Sequence, residues 1–286
     1  MNTFFIGAAQ LNLSHTDNFD LLTQKSKSYV ARFPYLEMLV FSELAVGGGG
    51  ALNDKYYLDR YLEKLSSLAS ELDIWLVPGS FYEKTDEGIF NTSPVFNNKG
   101  EIVAKSRKVF PFLPYEIEVQ SGEEVCVFEI PNKGIMGVQI CYDLWFPETS
   151  RALAAKGAEV ILHPSLTDTC DRDLEKSMIK ATAVQQQCYY IDVNSGGDQG
   201  YGQSVIVGPE GELIHEASIG EELMLVEVDF DRVRRVRERG VKGLGQPLKS
   251  FRDNENIKKI MNNINNEQYF SKLGRLEIPK KEKNNE

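Results

Sequence analysis

A single cysteine placed between an apolar run and the start of a helix constrains the fold of this chain more than any other feature. Residues 137–140 (GVQI) come just before Cys141 and predict the end of a buried strand. Pro147 and Gly157 then bracket a stretch with the proline-first, glycine-last pattern of a helix. The sequence therefore predicts a strand, a sharp turn that carries Cys141, and a helix. A thiol in such a turn can meet helix-terminal amides, which favour the thiolate and can bind an oxyanion.

Two further segments carry residue types that a thiol nucleophile requires. Hydrolysis of an amide through a thioester needs a base, and it needs donors for the tetrahedral oxyanion. Glu43 follows the apolar run MLVFS, and Lys108 precedes an apolar, proline-rich stretch (109–115) that we expect to fold back into the protein. From these residues alone, Glu43 could instead cap a turn, and Lys108 could be a solvent-exposed cation at the end of a strand.

Histidine is the usual base for a catalytic thiol, but the histidines of this chain are poor candidates. They are His15, His163 and His215, and none lies in a loop that also carries a second catalytic group. His163 follows a predicted strand and could border the pocket, although we interpret it first as a packed structural residue. Glu43 is therefore the better candidate for the base.

The segment around the cysteine resembles the nucleophile segment of the nitrilase, or carbon-nitrogen hydrolase, superfamily. It reads GVQICYDLWFPETSRALAAKGAEVILHPS (137–165). The segments FSEL around Glu43 and SRKVF around Lys108 match, in the same order, the places where this family carries its base and its lysine. Three matching segments in order identify the chain as a member of this superfamily.

The resemblance implies a role for each residue of the site. Glu43, Lys108 and Cys141 would form the catalytic triad, and the oxyanion would be held by Lys108 and the backbone N–H of Tyr142. Glu116 matches a second glutamate that orients the lysine or touches the substrate in many members of the family. The family chemistry requires no metal and no organic cofactor.

Apolar runs of strand length alternate with helical patterns along most of the chain. Between Asn53 and Leu72 apolar residues recur at helical spacing, which predicts an amphipathic helix with Asn53 as its N-cap. The junction NNKG (97–100) predicts a hairpin turn, so the sheets are expected to be mixed. The other predicted helices are 17–33 and 173–188, and the predicted strands are 4–13, 36–41, 74–82, 89–96, 101–105, 124–130, 133–140, 159–163, 189–194, 203–207, 212–216 and 223–228.

The family resemblance implies how these elements are arranged: two mixed sheets between helices, in a four-layer α-β-β-α sandwich of the α+β or α/β class. We expect residues 1–252 to form one carbon-nitrogen hydrolase domain and the polar residues 253–286 to form a C-terminal extension. The glycine-rich stretch VGGGG (46–50) lacks the Lys-Ser/Thr pair of a phosphate-binding loop. We interpret it as a flexible loop beside Glu43.

Charge and cysteine content limit the partners of the protein. With 32 Lys and Arg against 42 Asp and Glu, the net charge of −10 disfavours nucleic acid and anionic membranes. The N-terminus has no signal-peptide pattern and no apolar run reaches membrane-spanning length, so we expect a cytoplasmic protein. The cysteines show no metal-binding spacing. We expect Cys126 and Cys188 in the core and Cys170 in a loop.

The residues after the nucleophile bear on the substrate. Tyr142 and Asp143 are the amidase-like form, whereas members that hydrolyse nitriles carry Trp-Glu there. Trp145 begins a short stretch, WFPE, that is similar to N-carbamoylputrescine amidases, whose substrate is cationic. The acidic loop 168–173 could hold an amine or could simply cap the helix that follows. We expect a small amide or N-carbamoyl substrate, cleaved with release of ammonia.

Three alternative functions stay open on the same fold. The first is nitrile hydrolysis, and the second is acyl transfer, in which an amine replaces water at the thioester. The third is a non-catalytic binding protein, which the retained triad disfavours. By its resemblance to the family, the protein is expected to be a homodimer or a higher homo-oligomer.

Overall fold

The strands and helices of the protein follow the predicted alternation over most of the chain. A computed structural model describes residues 2–48, 52–262 and 267–278. The strands are β1 (Thr3–Gln10), β2 (Asn12–Leu13), β3 (Met38–Phe41), β4 (Trp75–Val77), β5 (Phe81–Thr85), β6 (Gly88–Phe96), β7 (Ile102–Arg107), β8 (Val119–Gln120), β9 (Cys126–Ile130), β10 (Gly134–Val138), β11 (Val160–Ser165), β12 (Tyr189–Asn194), β13 (Gly196–Gly197), β14 (Val205–Val207), β15 (Leu213–Glu216) and β16 (Glu222–Asp229). The helices are α1 (Phe19–Arg32), α2 (Leu62–Leu72), α3 (Pro147–Ala155), α4 (Arg172–Gln186), α5 (Phe230–Arg239), α6 (Pro247–Asp253), α7 (Ile257–Asn262) and α8 (Glu267–Phe270).

Two mixed sheets form the centre of the structure. The first has the strand order β16-β1-β3-β4-β6-β5, with β7 and β8 also paired to β6. The second has the order β15-β14-β12-β11-β10-β9. Strands β1, β3 and β4 are parallel to one another, as are β10, β11 and β12, and most of the remaining pairs are antiparallel. The predicted class of two mixed sheets is confirmed.

The sheets pack on each other through one face and on helices through the other. Along β3, Met38 and Val40 point into the core shared with the second sheet, while Leu39 and Phe41 pack towards α1 and α2. In the second sheet, Ile161 of β11 packs in the cluster that includes residues of α3 and α4. This alternation produces the helix, sheet, sheet, helix layers that the family resemblance implies.

Three local predictions were wrong, and a fourth, the single strand 74–82, is divided between β4 and β5. Asn53 does not cap α2: its side chain accepts the N–H of Lys55 in a separate 3-10 turn, and α2 begins later, at Leu62. The predicted strand 4–13 is interrupted, because β2 leaves the first sheet to pair with β13. Cys126 is only half-buried, since it lies on β9 at the edge of its sheet. Cys188 is buried and Cys170 is exposed, as predicted.

The C-terminal part of the chain holds a helix that the prediction lacked. Helix α5 carries many charges, yet Phe230, Val233 and Val236 recur at helical spacing and are buried. The proposed domain boundary after residue 252 falls within α6 and stays a prediction. Residues 279–286 of the predicted extension, and Gly49 and Gly50 of the glycine-rich stretch, lie outside the described residues. Within the described part of the chain, no helix is long and apolar enough to cross a membrane.

Candidate active site

Cys141 follows β10 at the edge where the parallel strands of the second sheet end. Its φ of +43° places the backbone in the left-handed region, which is unusual for a residue with a side chain. The cysteine begins a 3-10 turn, Cys141–Trp145, and α3 starts at Pro147. The predicted order of strand, turn and helix is confirmed. A nucleophile in this position is held by its backbone and presents its side chain beyond the end of the strand.

Glu43 reaches the same edge from the first sheet. It comes just after β3, and its backbone N–H donates to the carbonyl of Ser165 at the end of β11, with N and O 3.1 Å apart. The side chain is almost completely buried. This hydrogen bond joins the two sheets at their carboxyl ends and brings Glu43 to the part of the molecule that carries Cys141.

Lys108 follows β7 and is buried, with 2% of its surface exposed. Its Nζ donates to Glu43 Oε1 and to Glu116 Oε2, both at 2.8 Å. The neighbouring Arg107 behaves differently, because its guanidinium lies over the ring of Phe90 and near the carboxylates of the surface. The apolar stretch after Lys108 therefore does draw this lysine inwards, and the surface interpretation of Lys108 is wrong.

Glu116 closes the cluster from the other side and is held by several donors. It accepts hydrogen bonds from Tyr82 Oη at 3.0 Å and from the N–H of Phe112 at 2.6 Å, in addition to Lys108. Asn91 was missed by the sequence analysis: its Nδ2 donates to Glu43 Oε1 at 2.8 Å and to Glu116 Oε1 at 3.2 Å. The available signal was the polar run Asn91-Thr92-Ser93 inside a predicted strand, because buried polar groups need hydrogen-bond partners.

The charges of the cluster set the resting protonation of the thiol. Burial raises the pKa of the Cys141 thiol well above its usual value, Glu43 raises it further, and Lys108 only partly opposes them. Burial alone would lower the pKa of Lys108, but the carboxylates of Glu43 and Glu116 raise it well above the usual value. The expectation that the turn favours a thiolate is therefore wrong for the resting site. A neutral thiol lies beside a permanent ammonium, so attack requires a base.

A small cavity of about 70 Å³ opens in front of Cys141. One wall is aromatic: Tyr142 lies 4.9 Å from Phe112 and 6.0 Å from Trp145 between ring centroids. Tyr142 and Trp145 thus line the cavity. Among the described residues, its lining contains acidic side chains but neither Lys nor Arg. The residues that line it are Phe112, Cys141, Tyr142, Trp145, Leu166, Thr167, Asp168, Thr169, Asp171 and Glu175.

A second buried ionic cluster contacts the backbone of Cys141. His163 is completely buried; its Nδ1 lies 2.8 Å from Asp192 Oδ1 and its Nε2 lies 3.0 Å from the carbonyl oxygen of Cys141. Arg172 bridges Asp192 and Glu175. His163 is thus a packed residue, as first interpreted. The other three residues of this cluster, Asp192, Arg172 and Glu175, were not predicted. A signal was present for Asp192, which stands in an apolar strand, where a charge needs a partner.

Asp143 ties the two loops of the site together. Its carboxyl group accepts the N–H of Phe110 at 2.7 Å, two residues after Lys108, and the N–H of Ile140 at 3.1 Å, just before the nucleophile. Burial raises the pKa of Asp143 to about 6, against the opposing effect of these N–H groups and of Lys108. This single carboxyl group therefore fixes the segment of the cation relative to the segment of the thiol.

Metal binding requires several ligands in one place. In the residues that the structure describes, no group of three or more His, Cys, Asp or Glu side chains is arranged to hold a metal ion. A wider groove of about 770 Å³ lies at the opposite ends of β1, β3 and β4, lined in part by Tyr35, Trp75 and Glu227. It contains neither a thiol nor a buried cation, so we place the candidate chemistry at Cys141.

Comparisons with known proteins agree with this site. The carbon-nitrogen hydrolase family model matches residues 5–238. Omega-amidase NIT3 of Saccharomyces cerevisiae is 35% identical over 191 residues, which cover 61% of this chain and 65% of that protein. The deaminated glutathione amidase of Homo sapiens is 29% identical over 201 residues, which cover 62% of this chain and 61% of that protein. The chain spans less than two thirds of the length of these two relatives.

A solved structure supports the same grouping. Saccharomyces cerevisiae Nit3, a member of branch 10 of the nitrilase superfamily, superposes with a TM-score of 0.75 at 27% identity, covering 82% of this chain and 93% of that chain. The chain belongs to the carbon-nitrogen hydrolase family, on the amidase-like branch of the nitrilase superfamily.

Proposed function

We propose that the protein is an amidase that cleaves the C–N bond of a small amide or N-carbamoyl compound through a thioester on Cys141. The observation that carries the proposal is the buried Lys108 ammonium, held 2.8 Å from the carboxyl groups of both Glu43 and Glu116 beside a neutral thiol. Such a site supplies a nucleophile, a base and an oxyanion donor without histidine. The names of the amidase relatives support the same reaction.

In the first step Glu43 takes the proton of Cys141 as the sulfur attacks the carbonyl carbon. The carbonyl oxygen becomes an oxyanion, and Lys108 Nζ and the N–H of Tyr142 donate hydrogen bonds to it. When the tetrahedral intermediate collapses, the C–N bond breaks and ammonia leaves with the proton that Glu43 had taken up. The product of this step is a thioester on Cys141.

In the second step Glu43 removes a proton from water, and the resulting hydroxide attacks the thioester. A second tetrahedral intermediate forms in the same oxyanion site. Its collapse releases the acid and returns a proton to the sulfur. Glu116 holds Lys108 in place through both steps. Burial alone would raise the pKa of Glu116, but the Lys108 ammonium outweighs this effect and lowers the pKa, so the carboxyl group stays ionised.

The cavity favours a small substrate that is neutral or carries an amine. It encloses about 70 Å³, and the residues that line it provide no Lys or Arg for a carboxylate. Asp168 and Asp171 lie at its rim and could face a cationic end of the substrate. We therefore place linear aliphatic amides and ureido compounds, with or without an amine, ahead of substrates with a carboxylate near the amide.

The proposal is tested by measuring ammonia release from aliphatic amides, ureido compounds and the matching nitriles. Mass spectrometry of the quenched enzyme should find the acyl group on the peptide that contains Cys141. Cys141→Ala should abolish turnover, while the matched control Cys170→Ser should retain most of the activity. Faster turnover of a nitrile than of its amide, or full activity of Cys141→Ala, would contradict the proposal. Ammonia leaves when the thioester forms, whichever nucleophile follows, so a hydroxamate formed with added hydroxylamine in place of the carboxylic acid would indicate acyl transfer.

We also propose that the protein is cytoplasmic, that residues 1–252 form its hydrolase domain, and that it assembles as a homodimer or a higher oligomer. Large apolar side chains are exposed near the C-terminus and support association with another copy. They include Ile260, Met261, Tyr269, Phe270 and Leu273. Analytical ultracentrifugation of the full chain tests the assembly, and a purely monomeric protein at micromolar concentration would contradict it.

A further inference from the structure

His163 connects the backbone of the nucleophile to a buried ionic cluster that the proposed mechanism does not use. Its Nδ1 lies 2.8 Å from Asp192 Oδ1, and its Nε2 lies 3.0 Å from the carbonyl oxygen of Cys141. Asp192 also accepts a hydrogen bond from Arg172, whose guanidinium pairs with Glu175 at 3.0 Å. The histidine and Asp192 are both completely inaccessible to solvent.

The hydrogen-bond partners of His163 determine its protonation. A backbone carbonyl cannot donate, so Nε2 must carry a hydrogen to bond Cys141. Burial would raise the pKa of Asp192, but Arg172 and His163 lower it below the usual value, so this side chain is a carboxylate and also only accepts. Nδ1 must then carry a hydrogen as well. The ring satisfies both partners only as an imidazolium.

The charges around the ring lead to the same protonation state. Helix α4 contributes Arg172 and Glu175, β12 contributes Asp192 and Tyr190, and the nucleophile turn contributes Asp143. Burial raises the pKa of Tyr190 well above its usual value, so it is neutral. The partners from α4 and β12 are therefore the Arg172 guanidinium, the Asp192 carboxylate and Glu175, whose pKa burial raises although Arg172 opposes it. Burial would lower the pKa of His163, but its hydrogen bonds to Asp192 and to the Cys141 carbonyl raise it.

The contact with Cys141 has a geometric consequence for the oxyanion site. A non-glycine residue in the left-handed region is strained and persists only when its surroundings hold it. The peptide that joins Cys141 to Tyr142 is planar and trans, so its C=O and its N–H point in opposite directions. Fixing the carbonyl on His163 therefore fixes the direction of the Tyr142 N–H, which is the proposed backbone donor to the oxyanion.

We propose that His163 is a positioning residue: as an imidazolium between Asp192 and the Cys141 carbonyl, it holds the left-handed turn of the nucleophile and aims the Tyr142 N–H at the oxyanion. This inference rests on the proposed function, because the oxyanion forms only if Cys141 attacks a carbonyl. Since the donor acts on the transition state, loss of His163 should lower kcat much more than it raises KM.

The protonation state is tested without any substrate. In the full-length protein with ¹⁵N-labelled histidine, both ring nitrogens of His163 should carry a hydrogen between about pH 5 and 8, the range in which free histidine loses its charge. The signal is assigned by its absence in His163→Gln, and His15 and His215 serve as internal references. A singly protonated His163 ring at neutral pH would overturn the proposal, even if the enzyme is an amidase.

The positioning role is tested by kinetics on the amide that the wild type turns over fastest. His163→Gln should lower kcat about 10- to 100-fold, because a small displacement of a catalytic group has an effect of this size. KM and the rate of alkylation of Cys141 by iodoacetamide should change less than about threefold, since neither depends on the oxyanion donor. The matched control His215→Gln changes a half-exposed histidine far along the chain and should keep wild-type kcat.

A second variant covers the possibility that His163→Gln does not fold. Asp192→Asn keeps the size of the side chain but removes the charge that the imidazolium needs, and it should lower kcat to a similar extent. Wild-type kcat in either folded variant would overturn the proposal. A wild-type protein that releases ammonia from no amide would instead contradict the proposed function, and the ¹⁵N measurement would still decide the state of His163.

Discussion

Two buried ionic clusters act on Cys141, and they differ in which part of the residue they affect most and in their balance of charge. In the front cluster, Glu43 and Lys108 act electrostatically on the thiol and Glu116 holds Lys108, so this cluster has one cation for two carboxyl groups. The rear cluster, His163, Arg172, Glu175 and Asp192, touches the backbone carbonyl through His163, and its Glu175 adds a smaller electrostatic effect on the thiol than Glu43 does. With the imidazolium proposed above, it has two cations for two carboxyl groups.

The difference indicates that one cluster serves the chemistry of the site and the other serves its geometry. A cluster with a surplus carboxyl group can take up the thiol proton and give it to the leaving ammonia. A cluster with as many cations as carboxyl groups has no surplus carboxyl group to take up a proton. Burying its charges costs desolvation free energy, and a fixed geometry is what the protein gains from it. The same residue types therefore serve proton transfer on one side of Cys141 and backbone placement on the other.

The largest effects should come from breaking the front cluster. Lys108→Met removes the oxyanion donor, and Glu43→Gln removes the proton acceptor, so each should lower kcat by a factor on the order of 10² or more. Because these groups set one another's protonation, the double variant should be little worse than the poorer single one. Steady-state kinetics on one amide measure all three variants.

A surface cation provides the control for this test. Lys105→Met lies three residues earlier and removes a part-exposed lysine that pairs with Glu83. It should leave kcat near the wild-type value. Independent multiplication of the two effects in the double variant, or near wild-type kcat in Lys108→Met, would show that the front cluster does not act as a unit.

Asp143→Asn should have the next largest effect, because it weakens the link between the segment of Lys108 and the segment of Cys141. An amide has one oxygen, so it cannot accept both the Phe110 and the Ile140 N–H, and one of them would face an NH₂ group. The free energy of unfolding should fall by about 1–3 kcal/mol, and kcat should fall as well. Urea denaturation measures the first quantity, with Asp59→Asn, a solvent-exposed aspartate, as the matched control.

The pH dependence of this variant gives a further test. Burial raises the pKa of Asp143 from 3.8 to about 6. Between these values the folded protein binds a proton that the unfolded chain releases, so this group makes the free energy of unfolding fall as the pH rises. Asp143→Asn should lack that contribution. An unchanged slope between wild type and variant would show that Asp143 is already ionised in the folded protein.

The rear cluster predicts a pH dependence of stability at higher pH than that of Asp143. The pKa of His163 is raised above 6.5, so its stabilising effect is complete below that value and is lost as the pH rises towards the folded-state pKa. Over this window the wild-type free energy of unfolding should fall by up to about 1.4 kcal/mol per pH unit. His163→Gln should be less stable but should lack this slope. Parallel curves for the two proteins would contradict a charged His163.

The sequence predicted the front cluster better than the rear one for a physical reason. Glu43 and Cys141 each follow the apolar run of a strand, and Lys108 precedes an apolar, proline-rich stretch, so a local pattern marks each position, and the family resemblance assigned the three to one site. His163 also follows such a pattern, but its partners are set by pairing across the fold: Asp192 lies on the adjacent strand, and Arg172 lies at the start of α4. Local periodicity does not specify which buried charges meet.

The same limit explains the elements that were missed. Helix α5 has its apolar residues at helical spacing, but its arginines dominate the composition and conceal the buried stripe. Asn53 has the residue type of an N-cap, yet Tyr57 is extended while Tyr56 and Leu58 are buried, and this interrupts the helix. Apart from the predicted strands 4–13 and 74–82, which the structure divides, the strand positions and the Cys141 turn depend on short-range pattern and were predicted well.

The smallest predicted effect concerns the rim of the cavity, where charge is screened by solvent. Asp168 and Asp171 line the cavity of Cys141 but belong to neither cluster. Asp168→Asn combined with Asp171→Asn should raise KM about two- to fivefold for an amide that carries an amine, because exposed ion pairs are worth about 0.2–1 kcal/mol each. The KM of the uncharged amide of the same length should not change. Asp173→Asn, an exposed aspartate that does not line this cavity, is the matched control.

Equal changes in KM for both substrates would show that the rim does not take part in recognition, and would leave selectivity to the aromatic wall. A decrease in kcat without a change in KM would instead group these aspartates with the rear cluster, to which Glu175, another residue of the cavity lining, belongs. The roles of chemistry and geometry would then be less clearly separated.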